Sequence, residues 1–385
     1  MDLRKRQFLR RGLCGAGVYS VGALWSNLLL AGCSKQQGVE LQPADVNGVR
    51  LPAGFTSRIV ARSAQAVLPG SSFAWHAAPD GGACFAIESG GWIYVSNSEM
   101  NTVGGASAIV FDAEADIVDA YAILNDTDRN CAGGATPWGT WLSCEEVSDG
   151  RVWECDPKGL KPATVRLALG VFKHEAVAID ETSQQLYLTE DRPDGCFYRF
   201  TAQSLTPEGY ADLSAGLLAV AIVDQAGTIS WQQVPDPSAL TSQTRYQVAG
   251  AAVFDGGEGI AYHDGKIIFT TKGDNRVWSY NIDAQRLSIL YDAQDWLTPI
   301  LTGVDNVTVA KNGDIYVAED GGDLQVVVID NQGGLYPIAQ LVGHDNSEIT
   351  GVAFSPDGRR LYFSSQRGTE GLPQNGMTYE IMGPF

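Results

Sequence analysis

Histidine is scarce. The 385 residues hold only His76, His174, His263 and His344, and none falls in an HxH or HExxH spacing, which excludes a histidine-built zinc hydrolase site. Basic side chains are also outnumbered, 26 against 45 acidic ones, for a formal charge of -19. Such a chain repels a phosphate backbone, so a nucleic-acid partner is excluded. There is no GxSxG elbow and no P-loop, and serine-hydrolase and nucleoside-triphosphatase chemistries have no footing. After Leu51 no stretch repeats its apolar residues at a sustained helical spacing, which leaves strands as the building material.

What is present is strand and turn. The 44 glycines suit a chain that reverses direction many times. An aromatic-containing apolar run followed by polar, often acidic, residues recurs along the chain. Three places beyond the aromatic stand Asn97 after Tyr94, Cys144 after Trp141, Glu190 after Tyr187, Lys272 after Phe269, Glu319 after Tyr316 and Ser365 after Tyr362. The successive gaps are 47, 46, 82, 47 and 46 residues, a period that marks a blade-type β repeat. Within one repeat, the run from Glu258 to Tyr262, the turn His263-Asp264-Gly265 and the run from Lys266 to Lys272 read as two antiparallel strands joined by a tight turn. The expected fold is all-β: a β-propeller of six blades, with five to seven compatible with the period, as one domain over 51–385. Residues 204–246, inside the long gap, are expected to be an irregular insertion or a degenerate repeat.

In an antiparallel pair the beginning of the first strand lies beside the end of the second. Counting back 11 or 12 places from each aromatic gives Asn130, Glu175, Glu258, Asp305 and Thr350. These are expected beside Cys144, Glu190, Lys272, Glu319 and Ser365 respectively. If the first strands line a central channel, all these tips meet at one opening, with Glu145, Glu146, Asp191, Asp320 and Asn306 next to them. Carboxylates crowded in a low dielectric repel one another or take up protons unless a polyvalent cation joins them. Oxygen ligands suit calcium or magnesium, whereas the Cys144 thiolate asks for a softer ion such as iron or zinc. The bland reading is that acidic residues at strand ends cap turns. It is stronger for any one residue than for a set placed by a single rule.

The N-terminus reads as an address. Lys5-Arg6-Gln7-Phe8-Leu9-Arg10 precedes an apolar segment ending in Leu30-Ala31-Gly32-Cys33, the layout of a twin-arginine-like leader with Lys5 in place of the first arginine and a lipobox at its end. Residues 1–33 are thus expected to be a leader and 34–50 a tether. The protein is expected to be an exported monomer in the periplasm or at the cell surface, held to the membrane by lipidated Cys33. Beyond the leader stand Cys84, Cys131, Cys144, Cys155 and Cys196. An odd number leaves at least one thiol outside any intramolecular disulfide, and Cys144 is the candidate.

Several stretches resemble the PhoX family of metal-dependent alkaline phosphatases. They are His76 to Ala83, Asn130 through Thr136-Pro137-Trp138-Gly139-Thr140-Trp141 to Cys144-Glu145-Glu146, His174-Glu175-Ala176-Val177, Glu258-Gly259, Thr270 to Asn275, Asp305-Asn306 and Glu319-Asp320. The resemblance implies a propeller whose mouth holds ferric iron and calcium. Cys144, Glu175 and Glu258 would be metal ligands, joined by Glu145, Asp305, Glu319 and Asp320. It further implies hydrolysis of a small phosphorylated substrate whose oxygens are contacted by Lys272 and by Arg276 or Arg192, with His174 orienting Glu175 or lining the mouth. The family pattern tends to carry an arginine two residues before the glutamate of the Glu-Gly pair, and here that place is Gly256. Two other functions fit the same residues: a calcium-dependent lactonase or esterase on a propeller, and a non-catalytic metal-binding lipoprotein.

Overall fold

Each repeat closes as one antiparallel sheet, and there are six. The computed structural model describes residues 39–385, so the leader, the lipobox and Cys33 lie outside the described residues. In chain order the innermost strands of the blades are Pro79–Ala86, Asn130–Ala135, His174–Ile179, Gly257–His263, Val304–Val309 and Ile349–Phe354. Each packs against the next, and the sixth returns to the first, which closes the ring. The second strands, Trp92–Ser98, Trp141–Glu145, Leu186–Glu190, Lys266–Thr271, Ile315–Glu319 and Arg360–Ser365, pair with them as hairpins. The all-β, six-bladed propeller expected from the period is the observed fold.

The ends of the described chain close the ring. Thr56–Arg62 pairs with Met377–Met382 as the outermost strand of the sixth blade, and Val49–Arg50 pairs with Gln340 and Leu341 at the edge of the fifth. The expected tether therefore gives way to the propeller before residue 50, because these residues find an unpaired sheet edge to complete. The 82-residue gap is an insertion and not a seventh blade. The third blade carries a fifth strand, Ile229–Gln233, after Gly216–Val223, and the excursion that follows lays Arg245 against Glu190.

The repeat aromatics are the wedges between blades. Tyr94, Trp141, Tyr187, Phe269, Tyr316 and Tyr362 are all buried. Tyr94 stacks on Tyr362 at 4.8 Å between centroids, joining the first blade to the last, and Phe269 stacks on Phe197 at 4.7 Å, joining the fourth to the third. Full burial of one such ring contributes about 1.5–3 kcal/mol, so the regular spacing read from the sequence is a packing requirement of the ring. Polar clamps add register between blades. Asn97 donates to the carbonyls of Cys131 and Ala132, Thr189 to that of Glu258 at 2.6 Å, and Thr270 to that of Asp305 at 2.5 Å.

Candidate metal centre

The site arises from one irregularity repeated six times. Every innermost strand slips register by a β-bulge near its start, between Pro79 and Gly82, Asn130 and Gly133, His174 and Val177, Gly257 and Ile260, Val304 and Val307, and Thr350 and Ala353. A bulge leaves an extra, unpaired residue and re-aims its side chain. The first bulge residues are Asp80, Cys131, Glu175, Glu258, Asp305 and Gly351. Five of the six can hold a metal. The sixth must be glycine, since it has φ +70° and a Cβ there would lie 2.5 Å from the carbonyl of Asp80.

Three triads of ligand atoms, each within 4.8 Å of one another, follow from this ring: Cys131, Glu146 and Glu175; Glu175, Glu258 and Asp305; and Asp305, Asp320 and Glu348. Glu175 and Asp305 each belong to two triads, so the three are one continuous cluster. Cys131 Sγ lies 3.1 Å from Glu175 Oε1. The cluster extends sideways. Gln366 Nε2 bridges Asp80 at 2.6 Å and Glu99 at 2.8 Å. Arg129 bridges Glu99 and Glu146, and Lys173 bridges Glu146 and Asp191.

The charge count at this mouth does not balance. Among the described residues, Asp80, Glu99, Glu146, Glu175, Asp191, Glu258, Asp305, Asp320 and Glu348 face only Arg129, Lys173, Lys272 and Arg367 as basic partners. Lys272 Nζ lies 3.0 Å from Glu258, 3.3 Å from Asp305 and 3.0 Å from Asp320. Glu258 Oε1 meets Lys272 outside hydrogen-bonding alignment, and Glu175 Oε2 is buried with no hydrogen-bond partner. Burial, then the charges of Glu258 and Glu146, push the Glu175 carboxyl far above its ordinary range. Burial likewise raises Asp305 to about 6 against the pull of Lys272, and raises Glu146 to about 8 with help from Glu99. For Lys272, burial is outweighed by the carboxylates of Asp305, Glu258 and Asp320, which hold the ammonium protonated. Sites of this kind take up protons or cations.

The structure corrects several sequence expectations. The thiol in the cluster is Cys131. Cys144 is buried among Leu142, Val152, Leu186 and Leu188 in the apolar core. It belongs to none of the three triads. All five described cysteines are free thiols. Glu145 and Glu319 also stand outside the triads, and they share a different task with Glu190. Glu145 accepts the N–H of Arg151 at 3.0 Å, Glu190 that of Cys196 at 3.2 Å and Glu319 that of Gln325 at 3.0 Å, each six residues on. These second-strand glutamates close the loop to the third strand. His174 pairs with Glu190 and not toward the mouth. Its Nε2 bonds the Gly170 carbonyl at 3.1 Å and its ring packs on Phe172, while burial lowers its pKa to about 3. Arg276 is spent on Asp274 and Asp292, over Trp278. Glu175, Glu258, Asp305, Asp320 and Lys272 do converge.

The expected strand neighbours also miss, by one residue in the second, third, fifth and sixth blades and by two in the fourth. Asn130 lies opposite Glu145, His174 opposite Glu190, Gly257 opposite Thr271, Val304 opposite Glu319 and Thr350 opposite Ser364. A count from the aromatic assumes equal turns. Yet Cys84 pairs with Tyr94 across a long turn in the first blade, and Ala135 pairs with Trp141 across a short one in the second. Asp80 and Cys131 were missed on that account. Glu348, just ahead of the sixth blade, carried no signal at all.

A family model described as alkaline phosphatase PhoX matches residues 77–158 and 148–368. Among solved structures, Pseudomonas fluorescens PhoX in complex with vanadate, a transition state analogue, is 18% identical with a TM-score of 0.74, over 90% of this chain and 98% of that one. A structural-genomics protein of unknown function from Bacteroides thetaiotaomicron is 9% identical with a TM-score of 0.53, over 89% and 83%. No curated protein matches the chain. With the family model spanning most of the propeller and the bulge ring placing its carboxylates at one mouth, the chain belongs to the PhoX family of alkaline phosphatases.

Proposed function

We propose that the chain hydrolyses small phosphomonoesters at this mouth, with calcium and iron held by the bulge residues and their neighbours. One observation carries the reading: nine clustered carboxylates meet four basic partners, and one oxygen of the central Glu175 is buried without any partner. The donors fit the ions. Glu258, Asp305, Asp320 and Glu348 offer hard oxygens of the kind calcium takes. Cys131 beside Glu146 and Glu175 adds the one soft donor, which suits iron. Cations in such a site supply Lewis acidity toward phosphoryl oxygens and an attacking water.

The chain's own residues do the rest. Lys272, a third exposed, presents an ammonium donor at the edge of the cluster, where it orients a phosphoryl oxygen by a charge-assisted hydrogen bond. Gln366 and Arg129 hold Asp80, Glu99 and Glu146 at fixed spacing. The leader and lipobox read in the sequence support an exported, lipid-anchored protein. The test is elemental analysis of protein purified through its own export route, followed by turnover of a chromogenic phosphomonoester. Calcium and iron should co-purify, and activity should vanish on chelation and return on reloading. Metal-loaded protein that is inert on phosphates but active on lactones would replace the proposal with a lactonase, and metal without any hydrolysis would leave a binding protein.

A further inference from the structure

Among the basic side chains bordering the mouth, Arg129, Lys173, Arg245, Lys272 and Arg367 each contact at least one carboxylate. Among the described residues, Arg192 has no such contact. It follows Asp191 on the mouth-side loop of the third blade, and its guanidinium crosses toward the second blade, where Nη2 donates to Ser148 Oγ, two residues beyond Glu146. Its Nε is buried without a partner. The backbone beneath it is fixed three times: the Arg192 N–H donates to the Glu190 carbonyl at 3.0 Å, and the Arg192 carbonyl accepts the N–H groups of Gly195 and Gly256, both at 2.8 Å. Gly256 in turn accepts the Lys272 N–H at 2.8 Å. One glycine thus ties the backbones of Arg192 and Lys272 together on adjacent blades. Gly256 has φ +69°, and a Cβ there would sit in van der Waals contact with the Gly273 nitrogen at 3.4 Å and Asp191 Oδ1 at 3.5 Å, so the tie between the two loops is close-packed.

We propose that Arg192 is a substrate-binding residue, whose guanidinium takes the phosphoryl oxygens of the ester opposite Lys272. A guanidinium without a carboxylate partner keeps its charge for an incoming anion, and its planar fork matches two oxygens at once. Ser148 aims the fork without neutralising it. The inference rests on the phosphatase reading above.

The experiment uses full-length, metal-loaded protein, a chromogenic phosphomonoester as substrate and inorganic phosphate as inhibitor. Arg192→Ala should raise both KM and the phosphate inhibition constant about ten- to a hundred-fold, the scale of a charge-assisted pair, with calcium and iron content unchanged. Guanidinium ion in the buffer should restore part of the loss. Arg192→Lys, which keeps the charge and spares the fold, should remain impaired because it lacks the fork. Ser148→Ala should show a smaller rise. Unchanged phosphate inhibition in Arg192→Ala with full metal content overturns the assignment, as does loss of metal, which would make the residue a support of the loops. If the unaltered protein neither hydrolyses phosphomonoesters nor binds phosphate, the phosphatase reading falls as well. An active parent with an indifferent Arg192 variant removes this proposal alone.

Discussion

Two sets of glutamates in this propeller look alike by every simple measure and differ in what they are for. Glu175 and Glu258, at the bulges of the innermost strands, are 0% and 2% exposed; Glu190 and Glu319, at the ends of the second strands, are 0% and 1%. Glu190 is fully engaged, by the Tyr198 hydroxyl at 2.8 Å, the Cys196 N–H and Arg245 at 2.7 Å. Glu319 accepts from Thr302 and Gln325 N–H groups. Glu175 has one thiol neighbour and an unpartnered oxygen. Burial and charge therefore do not mark a metal ligand; an unmet demand for partners does.

The comparison breaks if the two sets respond alike to substitution. The largest effect is expected at Glu175, shared by two triads. Glu175→Gln should abolish metal retention, and phosphatase turnover should fall on the order of 10³-fold or more, since the Lewis-acid contribution amounts to several kcal/mol. The metal-free protein should be no less stable, because a crowding charge is gone. Elemental analysis and thermal melts together check both halves. Glu190→Ala should do the reverse, keeping its metals while losing about 1–3 kcal/mol of stability, because the Tyr198 hydroxyl and the Cys196 N–H lose their acceptor and Arg245 keeps only the half-exposed Asp194; denaturant titration measures it.

Acidity gives a third way to sharpen the contrast. Carboxyls raised in the folded state bind protons more tightly than in the unfolded chain, so the stability they contribute falls as pH rises from their unfolded values near 4 through about 6 for Asp305 and about 8 for Glu146. Chelated protein should lose melting temperature between about pH 5 and pH 8, by roughly 2–4 °C for each kcal/mol. Metal-loaded protein should gain over the same range, because cations displace those protons. Calorimetry with and without chelator would detect a failure of this crossing. The smallest effect separates the thiols: Cys144→Ala should cost about 1 kcal/mol and no metal, whereas Cys131→Ser should shed iron and keep calcium.

Much of the propeller was legible beforehand because its period is written in packing. Tyr94, Trp141, Tyr187, Phe269, Tyr316 and Tyr362 recur where each blade needs a buried ring, so strand pairs and blade count follow from spacing. Glu175, Glu258 and Asp305 were legible for the same reason, since their turns have similar lengths. Cys131 and Asp80 were not, because unequal turns shift their count. Residues 204–246 stand apart in the sequence, but that they supply the third blade's fourth and fifth strands and deliver Arg245 to Glu190 depends on contacts far apart in sequence.

The amino-acid order determined the strands, their repeat and the supply of acidic groups, because alternation, turn residues and buried aromatics act over short range. Which of those groups come within a few ångströms of one another was settled only when six strands closed a ring and a bulge in each turned one residue into the mouth. Carboxylate repulsion, donor supply and the choice of Cys131 over Cys144 all depend on distances of a few ångströms between separate blades, and no local pattern encodes those.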